Sequence, residues 1–309
     1  MPDLFDLVII GGGPAGSAAA VYAARKQLTT AIITPEWGGQ SIVSSDIQNW
    51  IGTPHISGTD LANSLKQHVE EYKGQFLTSL NQTVTNITGS YPDFSINLNN
   101  KQTLKTKTIL IATGSTRRRL TVPGADLFEH KGLTYCASCD GPFFAGQKVV
   151  VIGGGNAGFE SASQLLAYCD HVTLLHKNDT FKADEITVKK LLTNPKFTAK
   201  TNIEIMEVKG EQFVTGLVYK DKNTGQEVTE PVSGIFVEIG ALPATDFAKD
   251  IVELSPAGSI IVDPRTGQTK TTGVWAAGDC TDLLYHQNNI AVGDAVRALE
   301  DIYYFLNLK

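Results

Sequence analysis

Short, β-branched apolar runs alternate along this chain with glycine turns and Ala-rich stretches, and few of the runs show a polar residue at every second position. Such runs predict strands buried on both faces, as in parallel sheets covered by helices. Leu7-Val8-Ile9-Ile10 leads through Gly11-Gly12-Gly13-Pro14-Ala15-Gly16 into a predicted helix, Ser17 to Lys26, and a second strand, Thr30 to Ile33. The order recurs: Val149-Val150-Val151-Ile152, then Gly153-Gly154-Gly155-Asn156-Ala157-Gly158, a helix from Phe159 to Tyr168, and a strand from His171 to Leu175. Seven of ten positions are identical between the two copies, at an offset of 142 residues. Two further buried strands end in Ala112-Thr113-Gly114 and in Ala277-Gly278-Asp279.

A glycine turn between strand and helix suits a pyrophosphate, which binds backbone N–H groups at a helix N-terminus where the dipole favours negative charge. In each copy the first glycine makes the tight turn, the second removes a Cβ that would hold the ligand away, and the third lets helix and strand pack closely. Gly11, Gly13 and Gly16 fill these places first, and Gly153, Gly155 and Gly158 fill them again. One copy alone would fit an unliganded turn equally well; two copies in the same context point to two dinucleotides. Leu7 to Ala24 is uncharged and long enough to suggest a membrane helix, but three glycines and a proline inside it would break one. No membrane segment is expected.

Composition narrows the class. The length of 309 residues suits roughly two domains. With 26 Lys+Arg against 32 Asp+Glu, a net charge of −6, nucleic acid is not expected as a partner. Four cysteines are too sparse for a secreted disulfide framework, and the acidic N-terminus lacks the basic start of an export signal, so a cytoplasmic location is expected. Cys136 and Cys139 stand close together in Cys136-Ala137-Ser138-Cys139-Asp140-Gly141; Cys169 and Cys280 are isolated. Two thiols three positions apart can close a small ring and exchange two electrons readily. Zinc would require a second ligand pair, which neither Cys169 nor Cys280 forms, so no metal is expected; an inert structural pair stays open.

With Ala112-Thr113-Gly114 and Gly278-Asp279, the two glycine turns resemble the two-dinucleotide flavoprotein disulfide reductases. The CxxC hexapeptide before the second turn narrows this to the low-molecular-weight thioredoxin reductases and the flavoprotein subunit of alkyl hydroperoxide reductase. Gly38-Gly39-Gln40, Asn49-Trp50-Ile51-Gly52, the run from Gly234 to Gly240, and Gln287 extend the likeness over essentially the whole chain. The hydroperoxide-reductase subunit carries an added N-terminal thioredoxin-like region, and this chain starts at the first strand, so a stand-alone reductase is expected. The resemblance implies an α/β fold of two Rossmann-like three-layer domains, the second inserted in the first. Residues 1–115 and 245–309 would bind FAD, and residues 116–244 would bind NAD(P)H and carry the disulfide.

The resemblance also implies roles. FAD would be held by Gly11, Gly13, Pro14, Ala15, Gly16, Gly39, Gln40, Asn49, Ala112, Thr113, Gly114, Gly278, Asp279, His286 and Gln287. Asp279 could alternatively be a helix N-cap. Cys139 would face the flavin, Cys136 would attack the substrate disulfide, and Asp140 would protonate the departing thiolate, unless Asp140 is only a turn residue. The nicotinamide domain would rotate about the two crossings, and a homodimer is implied.

The donor is less defined. The nicotinamide site would comprise Gly153, Gly155, Asn156, Ala157, Gly158, His176, Lys177 and Lys182. Family members using NADPH usually carry Arg where this chain has Lys177, Asn178 and Lys182, and an NADH site usually has an acid where His176 stands. The two lysines favour NADPH over NADH, although they also suit a solvated surface. His286 replaces a usual Arg and Ala244 a usual Asn. Arg117-Arg118-Arg119 reads as an exposed linker or as a contact for cofactor phosphate or an acidic partner. The leading expectation is a disulfide reductase serving a thioredoxin-like or other dithiol protein. Alternatives are a dithiol oxidase using FAD and O2, a reductase fed by another donor such as ferredoxin, and a non-catalytic redox sensor.

Overall fold

The structure, a computed structural model, describes residues 2–44, 46–74 and 76–308. The chain divides into two compact units, residues 1–116 with 242–309, and residues 117–241. The strands before the second unit are β1 (Phe5–Ile10), β2 (Thr30–Ile33), β3 (Leu77–Leu80), β4 (Val84–Ser90), β5 (Asp93–Leu98), β6 (Thr103–Ile111) and β7 (Ser115–Arg117). Next come β8 (Leu133–Thr134), β9 (Lys148–Ile152), β10 (His171–Leu175), β11 (Phe197–Lys200), β12 (Ile203–Gly210), β13 (Val214–Asp221), β14 (Glu227–Pro231) and β15 (Gly234–Val237). β16 (Ala241–Pro243) and β17 (Val274–Ala276) follow. The helices are α1 (Pro14–Arg25), α2 (Gly58–Glu70), α3 (Ala125–Phe128), α4 (Ala137–Asp140), α5 (Asn156–Leu165), α6 (Glu185–Leu192) and α7 (Asn288–Leu308).

In the first unit β3, β2, β1 and β6 form a parallel sheet, in that order. β6 is long enough to do two jobs. Its N-terminal half pairs antiparallel with β5, and its C-terminal half pairs parallel with β17. Leu7, Ile9, Ile32, Leu110 and Trp275 face a layer made by α1 and α7, while Val8, Ile10, Ile33 and Ile109 face Phe94, Ile96 and Ile260 on the opposite side. Strands covered on both sides must be apolar at successive positions, which is why β1 reads as a continuous run. The small side chains of α1 let it lie close to α7 and to the sheet.

The second unit repeats the design with a different cover. Its parallel sheet runs β11, β10, β9, β15, β8. Phe159, Ala162 and Leu165 of α5 fill one side with Val149, Val151 and Phe236, and the antiparallel sheet β12–β13–β14 covers the other through Val208, Leu217 and Tyr219. The fold is therefore α/β, with two Rossmann-like three-layer units, one inserted in the other.

The helix bounds differ from the sequence expectation at both ends, α1 closing at Arg25 and α5 at Leu165, one and three residues before the expected Lys26 and Tyr168. α1 begins at Pro14 and α5 at Asn156, each three residues early, because Gly13 and Gly155 are extended N-cap residues and the helix starts directly after them. The uncharged segment from Leu7 to Ala24 is split between β1, the turn and α1, and no helix among the described residues is long and apolar enough to cross a membrane.

The third glycine of each turn leaves no room for a side chain. A Cβ on Gly16 would lie 1.8 Å from the Gly11 carbonyl oxygen, and one on Gly158 would lie 2.0 Å from that of Gly153. Gly16→Ala and Gly158→Ala are each expected to destabilise their own unit by about 2–3 kcal/mol. Gly293→Ala on α7, where a Cβ meets nothing within 4 Å, is expected to stabilise by about 0.5–1 kcal/mol. Denaturant midpoints of the three variants test both directions.

Candidate active site

The first glycine turn opens into a cavity of about 560 Å³ in the first unit. Gly11 takes a φ of +118° that a side chain would resist, and this aims the chain into α1. α1 begins with no side-chain cap and no acid in its first turn, so its first N–H groups are left for an external anion. A Cβ on Gly13 would meet nothing closer than the Gly39 Cα at 3.8 Å, so Gly13 keeps the floor of the cavity open instead of relieving a clash. The three glycines thus have separate reasons: turn, ligand approach and helix packing. A dinucleotide such as FAD fits this cradle.

Of the residues expected to hold FAD, Gly11, Gly13, Pro14, Ala15, Gly39, Gln40, Ala112, Thr113, Gly114, Gly278 and Asp279 line this cavity. Gln40 donates to the Ser115 hydroxyl at 3.2 Å, and Thr113 donates to the Ala244 carbonyl at 2.7 Å, which joins two edges of the cavity. Ala244, flagged as a departure from the family pattern, lines it too. Asp279 caps no helix, since α7 starts only at Asn288. Gly16 packs behind the turn. Asn49, His286 and Gln287 are outside the lining; the Asn49 amide donates to the Gln287 side-chain carbonyl at 3.2 Å, which ties their two loops together.

Sequence reasoning missed Glu36. It stands on the cavity wall just beyond β2, twenty positions after Gly16. An acid at that distance from the third glycine is where a ribose hydroxyl needs an acceptor. The spacing was available in the sequence and would have found it.

In the second unit Gly153 has a φ of +134°, and a Cβ on Gly155 would meet nothing within 4 Å. Asn156 and Ala157 are exposed at the start of α5, and the Asn156 side chain accepts from the Asp184 N–H at 2.8 Å. His176 is turned inward. It is 8% exposed, and its Nδ1 accepts from the Gly154 N–H at 3.1 Å, so the remaining ring proton is on Nε2, which is buried without a hydrogen-bond partner. Burial, with Lys177 and Lys182 adding to it, holds the imidazole below the ordinary histidine range, although the Thr180 backbone and Asp179 oppose this. Lys177 and Lys182 are themselves exposed, and the Lys182 N–H donates to the Gly154 carbonyl at 2.7 Å.

Cys136 and Cys139 form a disulfide, with Cα atoms 5.3 Å apart. The sulfurs are held by the short helix α4, where Cys136 Sγ accepts from the Cys139 N–H at 3.2 Å and the Ser138 hydroxyl lies 3.9 Å away. Ala137 anchors this turn in the core of the second unit. Both sulfur-bearing residues stay partly exposed, whereas Cys169 and Cys280 are buried, and burial pushes each thiol up to about 11. Asp140 follows directly, its N–H donating to the Cys136 carbonyl at 3.0 Å and its carboxyl accepting from the Thr134 hydroxyl. Burial pushes that carboxyl above the usual range, against the opposing pull of Thr134 and His130.

Two of the three clustered arginines meet acidic neighbours within the second unit. Arg117 pairs with Glu238 at 3.4 Å, and Arg119 pairs with Glu129 at 3.4 Å. Glu238 also accepts from Ser161 at 2.7 Å, and burial raises its pKa. Neither arginine is a bare linker charge.

The family profile described as pyridine nucleotide-disulphide oxidoreductase matches residues 5–295. The chain is 43% identical over 297 residues to an alkyl hydroperoxide reductase subunit of Xanthomonas campestris pv. phaseoli, covering 96% of this chain and 56% of that protein. It thus spans little more than half the length of that relative. Two solved structures superpose along the whole chain. Thioredoxin reductase of Streptococcus pyogenes MGAS5005 gives a TM-score of 0.90 at 32% identity, covering 99% of both chains. Thioredoxin reductase of Giardia duodenalis gives 0.93 at 31% identity, covering 99% of this chain and 100% of its own. The chain belongs to the pyridine nucleotide-disulphide oxidoreductase family, which implies FAD and a nicotinamide dinucleotide as cofactors, and it has the fold of the thioredoxin reductases.

Proposed function

We propose that this chain is an FAD-dependent disulfide reductase that takes electrons from NADPH and delivers them, through Cys136 and Cys139, to the disulfide of a thioredoxin-like or other dithiol protein. The observation that carries this reading is the pairing of Cys136 with Cys139 on one helical turn, partly exposed and followed by a carboxyl whose pKa is raised. A raised pKa keeps more of Asp140 in its acid form near neutrality, as a proton donor to a departing thiolate requires. Cys139 is read as the flavin-side sulfur and Cys136 as the one that attacks the protein substrate.

FAD, when bound, supplies a two-electron carrier between a hydride donor and a disulfide. The cavity residues would hold it. The N–H groups of α1 and the open floor at Gly13 suit its pyrophosphate, Glu36 suits a ribose hydroxyl, and Asp279 suits the polyol chain. Gly155 and the start of α5 would receive the second dinucleotide in the same way. The choice of NADPH rests on Lys177 and Lys182, which place two positive charges beside the turn with no carboxylate at the end of β10.

Anaerobic addition of NADPH to the flavin-loaded protein is expected to bleach its visible absorbance, faster than NADH does at equal concentration. Faster bleaching by NADH reverses the donor preference, and no bleaching by either removes the nicotinamide from the scheme. Cys136→Ser is expected to keep this bleaching and to lower turnover with a protein disulfide by at least about 100-fold. Gly155→Ala is expected to change the unfolding free energy by less than about 0.5 kcal/mol while weakening nicotinamide dinucleotide binding about tenfold, measured by calorimetric titration.

A further inference from the structure

One polar contact beside the disulfide has no part in the reading above. Thr134 closes β8 and is buried, and its hydroxyl donates to Oδ2 of Asp140. β8 is an edge strand of the parallel sheet, with Thr134 opposite Phe236 of β15, so the hydroxyl is carried by a fixed element. Asp140 belongs to the turn that bears both sulfurs, and its N–H donates to the Cys136 carbonyl. The carboxyl is therefore held from two sides, by the helical turn through its backbone and by the sheet through its side chain.

We infer that Thr134 is a positioning residue for the disulfide: by engaging Oδ2 it leaves the transferable proton on Oδ1 of Asp140, oriented for the sulfur released when the Cys136–Cys139 bond breaks. This rests on the proton-donor role proposed above for Asp140. A hydroxyl suits the task because it can donate to Oδ2 both when the carboxyl is ionised and when it carries its proton on Oδ1, so the contact survives proton transfer. With a small dithiol as reductant, a thiolate attacks one sulfur of the pair and forms a mixed disulfide. The Cys136–Cys139 bond breaks, its electron pair stays on the released sulfur, and that sulfur takes the Asp140 proton. The second thiol of the reductant then closes the oxidised ring and releases the other cysteine. The two protons lost by the reductant are balanced by the two thiols formed, with Asp140 reprotonated from solvent.

Other groups near this carboxyl are few. His130, in the turn before β8, favours the carboxylate, as Thr134 does, and burial opposes both. Tyr135, the next residue after Thr134, is linked to Glu129, which pairs with Arg119. α5, packed on α4, carries the exposed Glu160, and the turn Gly141–Phe144 carries no titratable group.

The test compares Thr134→Val, Thr134→Ser and Asp140→Asn in the full chain with flavin bound. The first readout is the Asp140 carboxyl stretch in difference infrared spectra of the oxidised protein, assigned by its loss in Asp140→Asn and followed against pH. The second is the pH profile of disulfide reduction by dithiothreitol. Thr134→Val is expected to move the carboxyl titration to higher pH, since a bond favouring the carboxylate is gone, and to slow reduction about three- to tenfold. Thr134→Ser is expected to restore both. Thr134→Ala, which removes the same donor, serves where Thr134→Val loses its flavin. If Asp140→Asn is slow while Thr134→Val titrates and reacts as the unmodified protein does, the role of Thr134 is overturned and that of Asp140 stands. If Thr134→Ser fails to restore the titration, the effect is one of packing and the inference also falls. If Asp140→Asn itself reacts normally, the fault lies in the reading of Asp140.

Discussion

Both halves of this chain depend on one close approach, in which a Cβ on the third residue of the helix would lie 1.8 Å or 2.0 Å from the carbonyl oxygen of the turn's first glycine. The Gly11 oxygen occupies the place a Cβ on residue 16 would need, and the Gly153 oxygen does the same at residue 158. This contact fixes the first N–H groups of α1 and α5 over the ends of β1 and β9, where the dipoles and unpaired donors of the helices coincide. It also recruits the neighbouring strand. Residue 11 lies against the Ala112 carbonyl at the end of β6, and residue 153 against the Glu238 carbonyl at the end of β15. Each crossing between units leaves from that same neighbouring strand, β6 into β7 and β15 into β16. The internal repeat therefore organises the glycine turns and the points at which one unit is inserted into the other.

Much of this was legible because it is local. The two turns, the strands feeding them and the CxxC pair each announce themselves within about ten residues, through periodicity, glycine spacing and cysteine spacing. What the sequence left open is long-range. Thr113 meets Ala244, and Asn49 meets Gln287, across more than a hundred positions each, and no local pattern marks such a partner. The arginine run is the clearest case. Three consecutive bases read as a solvated linker, yet Glu238 and Glu129 take two of them, and those acids come from opposite ends of the inserted unit. Glu36 is different. Its spacing of twenty positions from Gly16 is a signal carried by the sequence itself, in the same segment as the glycine turn.

The four cysteines illustrate how environment assigns chemistry to identical side chains. Cys280 is fully enclosed beneath the first sheet, with its thiol donating to the carbonyls of Ile111 and Ala277, and Cys169 is enclosed in the core of the second unit. Burial raises both and leaves little thiolate to react. Cys136 and Cys139 are instead placed on a turn too short to bury them, and that turn is anchored from below by Ala137. Sparse cysteine usage in the sequence suggested one active pair. The separation of that pair from the rest comes from packing.

The end of β10 shows a compromise between packing and recognition. A glycine at 154 is required because a Cβ there would lie 2.4 Å from the His176 ring, and the ring in turn spends its one lone pair on the Gly154 N–H. Protonating His176 at Nδ1 would break that bond and bury a charge, so the residue that occupies the usual acid position acts as a neutral brace for the turn. Positive charge at this corner then falls to Lys177 and Lys182, whose side chains are exposed. Lys182 is tied to the turn through its backbone, so its ammonium is carried on a flexible stem from a fixed base. On the proposed reading, two mobile point charges would attract a 2′-phosphate without the bidentate geometry that arginines provide. Discrimination between the two nicotinamide dinucleotides at such a corner is electrostatic, and it weakens as salt screens exposed charges.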